Sequence, residues 1–374
     1  MNTTVLTAIR RFPLVGWPRP VCPSLPARVT EVTEIADATG RPGADVIAEA
    51  AHALNKAALL ASDCGLANLA RDLCWQHINL YREAGSRLTV REARYMLEPV
   101  LNLARLQIRA DNGRQALHLL GAVHRAVTAN TDLVVEGRTL PLANLTGTQH
   151  EHRKLREWVW LQYLADGIRA LALAGRWDEA VTHAEADGGI GLHLMEGRQA
   201  AIIAHCLRGA LPQARTVLEE STLTEPWEQQ VAACLTVMCA EPDGASADRD
   251  IAAMVGHFLG REPVRGYAFF RARLGLTVVT FVSGADPDAA GRLLARVASE
   301  AIEAGDGYAA RDVLGYRSPL TGLTDAPREA LAKVVAASGL GMGTMPQELL
   351  ADLLAAAKVS TEAAARSLAA MQTC

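Results

Sequence analysis

WLQYLADGIRALALAGRWDEAVTHA, residues 160–184, and GRQAAIIAHCLRGALPQARTVL, residues 197–218, are two copies of one pattern. Each has an apolar helix, a glycine, four residues and an alanine inside a second helix. Gly175 leads to Ala180 and Gly209 to Ala214, so the alanines stand 34 residues apart. Glycine enters the left-handed conformation that ends a helix without a Cβ penalty. Alanine lets the second helix lie close to the first, and Trp177 between them is expected to fill the gap at the turn. One such hairpin cannot bury its own apolar face, so the pattern predicts neighbouring hairpins.

Working outward, the same five-residue anchor recurs at Gly65/Ala70 and Gly284/Ala289. A weaker copy precedes Ala116, where Gly113 lies two residues late. Helices are expected over 24–38, 44–62, 95–110, 114–126, 228–239, 267–281, 288–304, 326–338 and 346–371, and Thr89 is expected to cap another. Five prolines between Pro13 and Pro26 predict an extended arm over residues 1–27. Residues 131–157 break the helical rhythm with Gly137, Pro141, Gly147 and two short β-prone runs, and are read as an insertion. Residues 242–250 read as a polar linker, and Gly339–Gly343, GLGMG, as a flexible loop.

Composition agrees with an all-α chain. Of 374 residues 50% are hydrophobic but only 5% aromatic; Ala, Leu and Val dominate, and Ala and Leu are strong helix formers. The expected architecture is an α-solenoid of helical hairpins with an irregular insertion and a helical C-terminal cap. Its segments are a Pro-rich arm and first helix (1–43), N-terminal hairpins (44–130), the insertion (131–157), the repeats (158–305) and capping helices (306–374). A net charge of −4, from 37 basic and 41 acidic residues, argues against a general nucleic-acid or anionic-membrane surface. No apolar run is long enough to span a bilayer, and the prolines after Arg10 and Arg11 interrupt what a signal peptide would need. The chain is therefore expected in the cytoplasm.

Counting back eleven residues from Ala116 and Ala180 places Arg105 and Arg169 at equivalent positions, with Asn102 and Asp166 three residues earlier in each copy. Two such arginines can hold a carboxylate or phosphate through forked hydrogen bonds; the alternative is an internal pair such as Arg169 with Asp166. Arg109, Arg198 and His205 complete the candidate ligand-binding set. No catalytic residue, cofactor or metal ligand is assigned. His150-Glu151-His152 lacks the spacing that puts two imidazoles one helical turn apart. Glu179 and His183 are one turn apart but belong to an expected exposed face. The seven scattered cysteines form no CxxC pair and read as buried reduced thiols, with Cys234 and Cys239 diverging around one helix. DGYAARD, residues 306–312, is dense in chemically capable residues and reads either as a capped helix start or as a site.

The anchors, with LALAGRWDEAVTHA as the best single match, resemble the tetratricopeptide-like repeat family over residues 45–305. The Ala- and Arg-rich copies also look like the repeat segments of actinobacterial regulators of secondary metabolism, though no DNA-binding or nucleotide-binding module is evident. The resemblance implies a concave groove that receives a peptide or protein segment, in an adaptor or regulator, with no direct nucleic-acid or membrane partner and homodimerisation left open. The alternative is an all-helical enzyme or accessory protein of natural-product biosynthesis with a closed anion-binding pocket, in which His205, Asp166 and Arg169 do acid–base or anion-binding work.

Overall fold

The computed structural model describes residues 3–14, 16–84, 87–241 and 247–372. Among them are seventeen helices and one two-stranded hairpin, so the chain is all-helical. The first half carries α1 (Thr3–Arg11), α2 (Leu25–Ala38), α3 (Val46–Asp63), α4 (Ala67–Ala84), α5 (Val90–Arg109), α6 (Gly113–Ala129), β1 (Leu133–Val135), β2 (Arg138–Leu140) and α7 (Gln149–Leu173). There follow α8 (Trp177–Ala186), α9 (Glu196–Leu207), α10 (Leu211–Glu219), α11 (Pro226–Cys239) and α12 (Ala247–Leu259). The chain ends in α13 (Ala268–Val282), α14 (Pro287–Glu303), α15 (Gly307–Leu314), α16 (Asp325–Ser338) and α17 (Gln347–Gln372). No described helix is long and apolar enough to cross a membrane. Of the linker expected over 242–250, residues 242–246 lie outside the described residues, as does Cys374, and residues 247–250 instead form the first turn of α12.

Five turns share one local geometry. Gly65, Gly175, Gly209 and Gly305 have φ of 82°, 70°, 76° and 60°, and each stands five residues before an alanine at most 1% exposed: Ala70, Ala180, Ala214 and Ala310. The fifth turn is the weaker copy, where Asp111 itself takes φ 60°, five residues before the fully buried Ala116. In four of the five the left-handed residue donates to the carbonyl three back, and its successor to the carbonyl five back, as in Asp111 N to Ile108 O and Asn112 N to Gln107 O; this ends the helix with its last carbonyls satisfied. The Gly284/Ala289 anchor is corrected. Gly284 does not take up the left-handed conformation, Asp286 caps α14 instead by accepting from Ala289 N at 2.8 Å, and the fully buried alanine is Ala290.

Three further expectations change. Residues 3–11 form α1, because the first proline is Pro13 and nothing in TTVLTAIRR removes a backbone donor. The insertion ends at residue 148, since Thr148 Oγ1 accepts from Glu151 N at 3.2 Å and starts α7 nine residues before the expected boundary. GLGMG is pinned: Gly341 N and Gly343 N each donate at 2.8 Å, to Asp63 O and Cys64 O, and left-handed φ at Gly339, Gly341 and Gly343 lets the backbone lie against the α3–α4 turn.

The chain divides into two compact units, 25–170 with 339–374, and 1–24 with 171–338. In the first, here the α3–α5 unit, α17 packs on α2, α3 and α4, over a core that includes Leu54, Leu60, Ile78, Met96 and Leu97. The β1–β2 hairpin turns through left-handed Glu136 and Gly137 and is clamped to α4, with Trp75 Nε1 donating to Glu136 Oε2 at 2.7 Å and the Arg138 guanidinium 4.4 Å from the Trp75 ring centre. In the second, the α8–α16 unit, every helix packs on the next, and α9 on α11, α11 on α13 and α13 on α15 as well.

Close packing there has a testable consequence. A Cβ added at Gly197 on α9 would lie 2.3 Å from the Gly189 carbonyl oxygen. Gly197→Ala is therefore expected to cost about 2 kcal/mol, read as a lowered thermal midpoint; an unchanged midpoint would show that the Gly189 loop yields freely.

Candidate functional site

A polar stripe runs through the α3–α5 unit. α5 presents Glu98, Asn102, Arg105 and Arg109, and α7 presents Gln162, Asp166 and Arg169, at spacings that keep each set on one helical face. α3 adds Asn55, Ser62 and Asp63. These positions interrupt helices that otherwise bury Ala and Leu, so their polar groups must find one another or water.

At the centre is Asp166, whose side chain is 4% exposed. Arg105 Nε donates to Asp166 Oδ2 at 2.9 Å, Arg105 Nη1 to Asn102 Oδ1 at 2.9 Å and Arg105 Nη2 to Gln162 Oε1 at 2.9 Å. Asn102 in turn donates to Asn55 Oδ1 at 2.5 Å. Arg169 Nη1 reaches Asp166 Oδ1 at 3.5 Å, so the two arginines placed at equivalent repeat positions converge on one carboxylate. The internal pair foreseen for Arg169 is present, and Arg105 joins it.

A second carboxylate extends the stripe. Asp63, with its side chain 3% exposed, pairs with Arg28 of α2 and, at 2.9 Å, with Arg109 Nη2, while Arg109 also donates to Ser62 Oγ. Burial pushes the Glu98 carboxyl above its usual range, against the pull of Arg105, His52 and a hydrogen bond from Asn55. Four guanidinium groups thus accompany Asp63 and Asp166. Arg109 and Arg169 are the accessible ones, with side chains 41% and 54% exposed, and carry the N–H donors best placed to meet an incoming anion.

Asn102, Arg105, Arg109, Asp166 and Arg169 therefore lie together. Arg198 and His205 belong to α9 in the other unit. Arg198 is committed to the protein: Nε donates to Ser221 Oγ at 2.7 Å, Nη1 to Gly191 O at 2.9 Å and Nη2 to Val217 O at 2.8 Å, joining α9 to the end of α10. His205 is half-buried near the end of α9. Asn55, Asp63, Gln162 and Arg28 were not anticipated. Gln162 was recoverable as the residue one turn before Asp166; the α2 and α3 residues carry no local signal linking them to α5.

Elsewhere in the chain, Cys206 and Cys239 meet across α9 and α11 with sulfurs 3.4 Å apart, a pairing that the divergence of Cys234 and Cys239 around α11 did not suggest. All six described cysteines are buried free thiols. His150 Nδ1 lies 3.0 Å from Arg153 Nη2 in an open hollow at the start of α7. A second open hollow, edged by Gln229, Asp250 and His257 between α11 and α12, contains none of the candidate residues. Among the described residues no three His, Cys, Asp or Glu side chains gather as a metal-holding group. Comparison with family models, curated proteins and solved structures returned no match.

Proposed function

We propose that the chain is a tetratricopeptide-like α-solenoid that binds an acidic peptide or protein segment, acting as an adaptor or regulator, and that the α3–α5–α7 stripe is where the segment's carboxylates are held. The observation that carries the reading is the division of labour in the stripe. Asp166 and Asp63, both nearly out of solvent, fix Arg105 and Arg28, while Arg109 and Arg169 stand at the accessible edge with charge in excess of the carboxylates that hold them. Preorganised guanidinium forks bind carboxylates through charge-assisted, paired hydrogen bonds. Support for the solenoid comes from the shared turn geometry and from helix-on-next-helix packing in the α8–α16 unit, the pattern expected when neighbouring hairpins bury one continuous seam.

The test uses a displayed library of random peptides. Wild-type protein is expected to enrich Asp- and Glu-rich sequences, and Arg109→Gln/Arg169→Gln, which adds no carboxylate beside Asp63 or Asp166, to lose them by at least about tenfold, close to 1.4 kcal/mol. The thermal midpoint should hold, because both side chains are substantially exposed. Equal enrichment by wild type and variant would remove the stripe from recognition.

A further inference from the structure

Cys206 stands in the last turn of α9 and Cys239 is the last residue of α11. Their sulfurs are in contact at 3.4 Å. The two positions are 33 residues apart, one fewer than the 34 that separate Ala180 from Ala214, so the pair joins corresponding turns of consecutive hairpins. α9 packs on α11 as well as on its chain neighbours α8 and α10, and the thiols meet where the two leading helices end.

As packing alone, either position would accept another small apolar residue; contact between two sulfurs adds a chemistry. Cys206 is 4% exposed and Cys239 fully buried, yet each lies one or two residues from exposed chain, at Arg208 and Gly209 after α9 and at Glu241 after α11. Terminal turns are the part of a helix that opens first, so a small reagent reaches the sulfurs without unfolding the unit. The hydrogen bond between the thiols holds Cys206 below its usual range and pushes Cys239 above it. One sulfur thus carries the thiolate character that attack on an oxidant requires, while the other keeps its proton. Cys234 of the same α11 differs, since burial alone acts on its thiol and pushes it up to about 12.

We propose that Cys206 and Cys239 are a redox-active dithiol that a peroxide closes into a disulfide, stapling α9 to α11. The Cys206 thiolate attacks one oxygen of hydrogen peroxide; the O–O bond breaks, a sulfenic acid forms, and the hydroxide released takes up the proton that Cys206 gave up and leaves as water. The Cys239 sulfur then attacks the Cys206 sulfur, the S–O bond breaks, and the second hydroxide leaves as water with the Cys239 proton. The dithiol loses two electrons and the peroxide gains them; a small free thiol reverses the step by exchange. The new bond closes a loop that contains the whole of α10, and restricting the unfolded chain in this way raises stability. It uses no residue of the α3–α5–α7 stripe, so either reading stands without the other.

Titration of the reduced full chain with hydrogen peroxide, followed by alkylation, non-reducing digestion and mass spectrometry, tests the pair. The peroxide is raised until Met342, 50% exposed, becomes the sulfoxide, which shows that oxidant is sufficient. Peptides joined through Cys206 and Cys239 are expected before that point, with an intact mass lower by two hydrogens that dithiothreitol restores. The oxidised protein should melt at least about 5 °C above the reduced one. Cys234→Ala should keep the link and Cys206→Ala should abolish it; the wild-type peptide map decides the matter even where Cys206→Ala fails to fold. Both thiols still open to alkylation after denaturing the peroxide-treated protein, or Cys206 carried on to the sulfinic acid without a link, would overturn the proposal. A linked protein that melts no higher than the reduced one would overturn the staple.

Discussion

Acidification from about pH 7 to about pH 5 is expected to cost the α3–α5 unit roughly 2 kcal/mol through one side chain, His77. The imidazole is 2% exposed in the core of α4, tilted against Tyr81 with ring centres 5.8 Å apart, and neither ring nitrogen has a hydrogen-bond partner among the described residues. Burial alone pushes its pKa down from 6.5 to about 3, because the charged ring would lose its hydration and gain no counter-charge. In the unfolded chain the same ring takes up a proton below about pH 6.5. Between those two values the unfolded state binds more protons than the folded one, so stability is fully present above the upper value and falls by about 1.4 kcal/mol per pH unit on the way down. His77→Leu, of similar size and without polar atoms, should gain on wild type at neutral pH, where it removes an unsatisfied polar group, and gain further with every step toward pH 4. Urea midpoints for the two proteins across that range give the answer directly. Parallel pH profiles would mean that His77 is hydrated or partnered in solution.

His77 also marks a boundary of what the amino-acid order conveys. Its one-turn spacing from Tyr81 is visible in the sequence, but its isolation is a property of α4 buried within the unit, and no local pattern carries that. The turns are more legible. A left-handed residue five positions before a small one is a requirement of local backbone geometry, and three glycine anchors follow it. The exceptions have local causes: Asp111 tolerates the left-handed region and stands in for a glycine expected two residues later, Gly305 stands immediately before a segment read for its chemistry, and Asp286 replaces the Gly284 anchor by capping. The stripe was half legible for the same reason. Repeat phase pairs Arg105 with Arg169, and helical spacing adds Asn102, Arg109 and Asp166, but Asn55, Asp63 and Arg28 reach the stripe only through the packing of α2 and α3. Repeat phase does not carry Arg198 and His205 into the stripe, since the position equivalent to Arg105 and Arg169 in the 197–218 copy is Ile203, and both residues lie in the other unit.

The stripe's own energetics put the largest substitution effect at its centre. Asp166→Ala is expected to destabilise the α3–α5 unit by about 3 kcal/mol, whereas Arg169→Ala should cost no more than about 0.5 kcal/mol. Both changes break a contact to the same carboxylate, and burial decides between them. The Asp166 side chain is 4% exposed and receives Arg105 Nε at 2.9 Å, whereas Arg169 is 54% exposed and reaches it at 3.5 Å. Removing Asp166 strands the Arg105 charge beside Asn102 and Gln162; since Arg105 keeps 31% of its side chain in solvent, the loss falls at the lower end of the range for broken buried pairs. Arg105→Glu should be worse than Arg105→Ala, because it sets a second carboxylate against Asp166 and forfeits the bonds to Asn102 and Gln162. Charge reversal at Arg105 is therefore a test of folding, and recognition has to be tested at Arg109 and Arg169. A double-mutant cycle over Asp166→Ala and Arg105→Ala, followed by chemical denaturation, measures the coupling. A value above about 1.5 kcal/mol is expected for a partly buried, hydrogen-bonded charge pair; a value near zero would place Asp166 in water and remove the anchor on which the arginine stripe depends.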